Sequence, residues 1–489
     1  MADFLFIGLS LIVWCLPLPF GGNIEWAIYG FETSVFILFV IFLLRPGGLT
    51  GNWEASEWPE KPERVLPLFF SILIGIFFLV LLAQIVPLPS KVVKILSPAA
   101  WKWREELVFS GLMGTKTFKW QTISLSPWAS AYELVRYLSY GVFAFLLAKV
   151  VNSQKKARAL ALILVSAGVF QALYGLSEYF GGTNRIFSWV NPHYSGSAFG
   201  TFVNRDHYSA FLEMTFPLSL GYFLVKANYF SLRPGLTLRQ KITAFGQENL
   251  QKSLLFILPP LIIGTGLFFS RCRSGIIIFV VSFFTMLLAL SLTAVSGPSR
   301  TEKRLVKVVV VSVILCVVLI GITPILERFT YGGFFDKNRL LVYSYTLRLI
   351  GQYLWLGSGS GTYIQAITPF LQKDFYVIFD HAHNDYLEMI AETGLVGGGI
   401  IILVGFLTLG LGFRRWSRAK DPLARGVGLG ALIGVSALFF HSLTDFSLRM
   451  PGNAVFWLSL FVLGLKLPWL VSGNNEQKFR EEVGLKRAE

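Results

Sequence analysis

Long apolar stretches recur along the 489-residue chain, each about the length needed to cross a membrane as a helix. The hydrocarbon core of a bilayer is about 30 Å thick, and about 20 mostly apolar residues span it in helical form. In lipid every backbone N–H and C=O must be paired within the protein, so repeated stretches of this kind dictate a helical bundle. The pattern predicts twelve spans, near Phe4–Phe20, Trp26–Leu44, Leu66–Leu88, Ala131–Val151, Ala159–Phe180, Tyr208–Lys226, Ser253–Ser270, Gly275–Leu292, Leu305–Ile325, Tyr386–Leu411, Gly426–Leu443 and Ala454–Val471. The first has neither a basic n-region nor a small-residue cleavage site, which predicts a retained helix. The expected fold class is all-α: a polytopic integral membrane protein with about twelve helices, forming a single membrane domain over residues 1–489.

Composition removes the alternatives. Hydrophobic residues make up 54% and charged residues 15% of the chain, whereas a soluble domain carries about 25% charge. Disorder, whose signature is low hydrophobicity, is excluded on the same ground, as is a string of soluble domains. The net charge of +15 is a membrane-protein feature here rather than a sign of nucleic-acid binding, because basic residues collect in cytoplasmic loops. Cys15, Cys272 and Cys316 are odd in number and far apart in apolar runs, so they suggest neither a disulfide framework nor a metal site.

Charge alternates between the loops. Lys155, Lys156 and Arg158; Arg233, Arg239 and Lys241; Arg300, Lys303 and Arg304; and Arg414, Arg415, Arg418 and Lys420 all fall on one side. Short loops of opposite parity, such as Gly21–Glu25 and Met450–Asn453, are nearly free of Lys and Arg. The positive-inside rule makes the first side cytoplasmic and, with an even span count, both termini with it. Two long segments then lie outside. Residues 89–130 carry Lys91, Lys94, Trp101, Lys102, Trp103 and Arg104, a pattern suited to a membrane interface. They end in Ser130-Ala-Tyr-Glu133, a capping-box pattern expected to start the next helix. Residues 327–385 form a large outer loop rich in aromatics and glycine, and loops of that length are commonly functional. Neither GxxxxGK[ST] nor a strand-linked GxGxxG occurs, and the glycine cluster Gly357–Gly361 is of the kind that more often marks a turn than a phosphate site.

Basic groups in apolar company on this outer side need an explanation. Arg271 and Arg273 lie within three residues at a turn between two spans, and Arg339 and Arg348 lie in the outer loop. Snorkelling to the interface accounts for a single arginine, but ionisable groups at membrane depth are functional candidates. The segment Asp380-His381-Ala-His383-Asn384-Asp385 leads into the tenth span and holds two of the chain's five histidines. Three roles are open to them: a metal pair, disfavoured because positions i and i+2 do not share a helical face; capping or orienting of the helix; and acid–base work, suited to an ordinary pKa of about 6.5. Arginine forks bind phosphate oxygens in a bidentate way, and a nearby histidine can take a proton from an attacking hydroxyl. Together they fit displacement of a phosphate or diphosphate leaving group by an alcohol, without a metal, and a lipid-borne donor explains the membrane setting.

The segment His383-Asn-Asp-Tyr-Leu387-Glu-Met-Ile-Ala-Glu392-Thr-Gly394-Leu-Val-Gly397 resembles the hallmark of the O-antigen ligase and O-antigen polymerase superfamily, a histidine at the end of a large periplasmic loop followed by H-N-x-x-L-x-x-x-x-E-x-G-x-x-G. Gly200-Thr-Phe-Val-Asn204-Arg-Asp-His207 is similar to the family's G-T-F-x-N-x-N-H segment, with Asp206 where asparagine is usual. Arg271-Cys-Arg273-Ser-Gly275 resembles its S-R-S-G turn, and Arg339 with Trp355–Gly361 its R…P-L-x-G-x-G stretch, with Trp355 where proline is common. The likeness runs from about Ile123 to Gly399; the first three helices match only in hydropathy.

The resemblance implies a multi-pass enzyme of the bacterial inner membrane with a periplasmic active site. It implies a metal-independent, inverting glycosyltransferase that needs no cofactor, takes a glycan from undecaprenyl diphosphate and passes it to an acceptor hydroxyl. That acceptor is lipid A-core in a ligase and the growing repeat-unit chain in a polymerase. Carried over by motif, His383 is the base and Arg273 and Arg339 bind the diphosphate. Arg271 can stand in for Arg273, His381 for part of His383's role, and Asn384, Asn204 and His207 are supporting candidates. The competing class is a lipid-linked glycan flippase or other polysaccharide transporter, which shares the hydropathy but tends to hold its substrate near the midplane on broken helices.

The orientation is directly testable. Topology reporters fused at Lys156, Lys303 and Lys420 should score cytoplasmic, and fusions within Glu327–Asp385 periplasmic; a reversed score at Lys303 alone would mean the helices around the Arg271 turn are miscounted.

Overall fold

A computed structural model describes residues 2–44, 65–109, 119–226, 247–292, 337–371 and 379–482. The expected ninth span, Leu305–Ile325, lies outside the described residues, as do Cys316 and the basic groups at 233–241 and 300–304. The other eleven expected spans are all helical. They fall on α1 (Ala2–Cys15), α2 (Glu25–Leu43), α3 (Val65–Ile85), then, after two short outer helices α4 (Ser90–Leu96) and α5 (Pro98–Phe109), on α6 (Pro127–Val150), α7 (Gln154–Gly181), α8 (Arg205–Lys226), α9 (Gln247–Phe269) and α10 (Arg273–Leu292). Residues 327–385 contribute α11 (Lys337–Gln352) and α12 (Tyr363–Ile367); the last spans are α13 (Asp385–Gly394) continuing into α14 (Ile400–Ser417), α15 (Leu429–His441) and α16 (Pro451–Glu482). Strand structure among the described residues is confined to two short antiparallel pairs, Leu88–Pro89 with Trp120–Gln121 and Arg185–Ile186 with Trp189–Val190.

Seven of these helices are long and apolar enough to cross a membrane by those criteria alone, fewer than the twelve expected. One of the missing spans lies outside the described residues, the apolar parts of α1 and α9 are short, and α8 falls out for a physical reason. Every residue from His207 to Leu224 is buried, and α8 packs against α7, α9, α10 and α15. A helix enclosed by protein need not be apolar, so it carries Glu213, Ser209 and Thr215 at no cost in lipid contact. Glycines bring α15 and the residues just before it against the α8 backbone: a Cβ would lie 2.2 Å from Gly426 O at Gly221, 2.3 Å from Pro217 O at Gly430 and 2.4 Å from Met214 O at Gly434.

Two departures from expectation shape the end of the bundle near α13. The helix expected to start with a cap at Ser130 begins a turn earlier, at Pro127, whose fixed φ suits a first helical position. Ser130 instead donates to Ser360 O (2.7 Å), and Glu133 faces Arg136. The tenth span is not one continuous helix. At Gly394 the backbone turns into the left-handed region (φ 68°), ending α13 before α14 resumes. Carbonyls freed there are paired by the Gly357–Gly361 turn: Ser358 N and Gly359 N donate to Ala391 O and Glu392 O at 3.0 Å, and Leu395 N to Leu354 O at 2.9 Å. Gln84, near the end of α3, donates to Leu356 O and Glu392 O and accepts from Ser360 N. The glycine cluster is therefore a backbone clamp, its amides already engaged by protein carbonyls and by Gln84.

Residues 327–385, expected as a loop, are largely folded where described. Tyr345, Leu349, Tyr353, Tyr363 and Ile367 of α11 and α12 form a second apolar cluster with Ala100, Leu125, Ala382 and Ala391. That cluster fixes α11 and the turn before α13 against one another, and both carry residues of the site.

A Cβ at Gly394 would sit 2.1 Å from Trp355 O in a left-handed conformation, whereas one at Gly351 meets nothing within 4 Å. Gly394→Ala should therefore destabilise the protein by at least about 2 kcal/mol, while Gly351→Ala is neutral or slightly stabilising. Melting temperatures of the detergent-purified variants test this; equal values for the two would contradict the clamp.

Candidate functional site

Five segments meet at one end of the bundle: the start of α8, the Arg271–Arg273 turn, the first turns of α11, the His381–Asp385 turn and the connection 442–450 between α15 and α16. Asn204 and Asn384 shape two of the helix starts. Asn204 Oδ1 accepts from Asp206 N (2.8 Å). Asn384 is the N-cap of α13, its Oδ1 accepting from Tyr386 N (3.1 Å) and Leu387 N (3.0 Å) while its amide donates to Leu443 O (2.9 Å). Capping, one of the roles open to the histidines, thus belongs to the asparagine between His383 and the helix.

The centre of the site is Asp445, which is fully buried. His383 Nδ1 lies 3.1 Å from its Oδ1, and His207 Nε2 lies 3.4 Å from its Oδ2. Burial raises a carboxyl pKa, but the opposing effects of His207, the bond with His383 and the Arg339 charge hold Asp445 well below the usual carboxylate range. An ionised carboxylate can only accept, so the proton in its contact with His383 sits on Nδ1. Nε2 of His383 is then the ring atom with a free lone pair, on a side chain still about a quarter exposed. His383 itself adopts φ 50°, in the left-handed region, and Tyr343 of α11 donates to its carbonyl (2.8 Å).

Arg339 stands beside this pair. Its Nη2 donates to Asp206 Oδ2 (3.0 Å) and its Nη1 to Thr444 O, which joins α11, α8 and the 442–450 connection. Burial disfavours the guanidinium, but Asp445 and Asp206 more than offset that and raise its pKa above the ordinary value. The guanidinium keeps its charge and remains about a quarter exposed.

His381 is placed differently. Its ring stacks on Phe446 (centroids 4.0 Å apart), and its Nδ1 lies 2.8 Å from Glu388 Oε1. Burial works against its protonation, yet Glu388 outweighs burial and raises its pKa. An imidazole held toward its charged form is a poorer proton acceptor than one with a free Nε2. Phe446 also meets His207 and His383 edge-on, at 4.7 and 5.1 Å, so one phenyl ring spaces three imidazoles.

The arginines of the α10 turn are not equivalent. Arg271, in the left-handed region at φ 54°, donates to the Tyr179 hydroxyl of α7 (3.1 Å). Arg273 opens α10 and is half-buried. Among the described residues no three His, Cys, Asp or Glu side chains are grouped as a metal site. Within the bundle, His441 Nδ1 approaches Glu213 Oε1 to 2.9 Å, both fully buried.

Asp445, Arg449, Glu213 and His441 received no role from the sequence. The available signal was an acidic and a basic residue, Asp445 and Arg449, in a ten-residue connection between apolar spans, on the side where short loops are otherwise poor in charge.

No curated protein matches the chain. Residues 260–402 match the family model described as O-antigen ligase. That stretch holds Arg271, Arg273, Arg339, His381, His383 and Asn384 and stops short of Asp445, while His207 precedes it. Over residues 260–402, and so through Arg339 and the His383 turn, the chain is similar to the O-antigen ligase family, in line with the resemblance in its sequence.

Proposed function

We propose that this protein is a glycosyltransferase of the bacterial inner membrane that moves a glycan from undecaprenyl diphosphate to an acceptor hydroxyl at the periplasmic face. The family match supports membrane glycan transfer in general. The observation that carries the finer reading is the His383–Asp445 pair beside Arg339, at one end of the bundle.

In this reading His383 Nε2 takes the proton of the acceptor hydroxyl as its oxygen attacks the anomeric carbon. The bond from that carbon to the diphosphate oxygen breaks with inversion, and undecaprenyl diphosphate leaves. Asp445 holds the imidazole in the tautomer that leaves Nε2 free and stabilises the imidazolium that forms, a division of labour known from other His–Asp pairs. Arg339, with Arg273, neutralises the charge that grows on the leaving diphosphate. Asp206 and Thr444 fix the Arg339 fork, so its geometry is set before substrate arrives. No metal or cofactor takes part in this scheme. The acceptor is a hydroxyl of lipid A-core for ligation, or of the growing glycan for polymerisation; both termini lie in the cytoplasm.

General-base catalysis is worth about 10²–10⁴-fold, so His383→Ala should lose about that much turnover in a lipid-linked glycan assay while remaining folded. Asp445→Asn should lose a comparable share, His381→Ala much less, and Arg339→Lys should fail to restore activity because the planar fork is lost. A dead His381→Ala beside a fully active His383→Ala would overturn the assignment of the base, and unchanged turnover in both would overturn glycosyl transfer.

A further inference from the structure

Arg449 closes the short turn Ser447–Arg449, four residues after Asp445. It is largely buried and faces three carboxylates: Nε lies 3.2 Å from Glu388 Oε1, Nη1 lies 3.5 Å from Glu133 Oε2, and Nη2 donates to Glu392 Oε2. Burial alone would lower its pKa, but these carboxylates, Glu392 first, raise it well above the ordinary arginine value. Removing such a cluster from water is costly for every ion in it, and apolar side chains of the same volume are often as stable or more so. Stability is thus a weak account of the cluster. Geometry is a stronger one.

Glu388 is the link. Besides Arg449, its Oε1 meets His381 Nδ1 (2.8 Å) and its Oε2 accepts from Ala382 N (2.8 Å). These are the two residues before His383, whose left-handed backbone is strained for a non-glycine residue and has to be held from both sides. On the other side, Asp385 Oδ2 accepts from Leu448 N (3.1 Å) and from the Ser442 hydroxyl (2.8 Å). Arg449 therefore ties the turn that carries His383 to the turn that carries Asp445, and through Glu133 it anchors both to α6.

We infer that Arg449 is a positioning residue for glycosyl transfer, acting through Glu388 on the His383 turn and through its own turn on Asp445. The inference rests on the glycosyl-transfer reading above. Lysine keeps the charge but cannot reach three carboxylates with a planar fork, so the spacing of the pair should loosen.

The test is a double-mutant cycle on the purified full-length protein, with a lipid-diphosphate-linked glycan as donor. Arg449→Lys should lower kcat by about 10–100-fold, the scale of a small misplacement of reacting groups, and leave the donor KM nearly unchanged. In an Asp445→Asn background the same substitution should cost less than about threefold, since no pair remains to misplace. Glu388→Gln, which keeps volume and removes one charge, should follow the same pattern. Losses that multiply independently in the doubles would overturn the inference, as would a rise in KM with kcat unchanged. So would failure of both single variants to accumulate as monodisperse protein, which assigns the cluster to folding. A readout without turnover separates this inference from the reading it rests on: diethyl pyrocarbonate should modify His383 faster in Arg449→Lys than in the unaltered protein. An equal rate overturns the positioning role, whereas absence of turnover by the unaltered protein overturns glycosyl transfer.

Discussion

The end of the bundle that holds the candidate site depends on one buried carboxylate. Asp445 has no exposed surface, and an unpaired charge in that setting would cost far more than the net stability of a typical domain can absorb. It stays ionised because three elements each bring a partner or a charge to it: His207 from the start of α8, His383 from the turn before α13 and Arg339 from α11. The same requirement that satisfies the charge gathers the groups a proton transfer beside a diphosphate needs. Structural necessity and chemical capacity coincide at this residue.

Support for that arrangement comes from below and from the side. Below, α8 is sheathed by other helices, so it can carry polar groups through the bundle and present Asp206 and His207 at its start. Close approach of the glycines before and within α15 to the α8 backbone leaves little freedom between the two elements that flank Asp445. To the side, the break at Gly394 lets α13 depart from the line of α14, and the Gly357–Gly361 turn pairs the carbonyls that the break frees. The turn that leads into α13 and carries His383 is thereby held against a helix fixed by a backbone clamp rather than on a free loop, which suits the role proposed for His383.

Much of this was legible in the sequence, and the part that was not has a common cause. Hydropathy located eleven helices because lipid exposure demands apolar faces, and it understated α8 because enclosure removes that demand. The His383 turn and Arg339 stood out as ionisable groups in apolar company. Asp445 and Arg449 did not, since their meaning lies in partners 62 and 57 positions away, His383 and Glu392. No local pattern encodes such a pairing. The tenth span reads in the sequence as one helix; Gly394 breaks it, and only the facing turn at 354–359 reveals why. His381 and His383 looked alike in sequence and are separated by their carboxylates, Glu388 for one and Asp445 for the other.

The most direct measurement is an experimental structure of the protein with an undecaprenyl-diphosphate-linked glycan bound. The account predicts the diphosphate in hydrogen-bond contact with Arg339, and the anomeric carbon turned toward His383 with room for an acceptor hydroxyl about 3 Å from Nε2. A diphosphate seated away from Arg339, with His383 Nε2 facing neither the sugar nor an acceptor path, would contradict it.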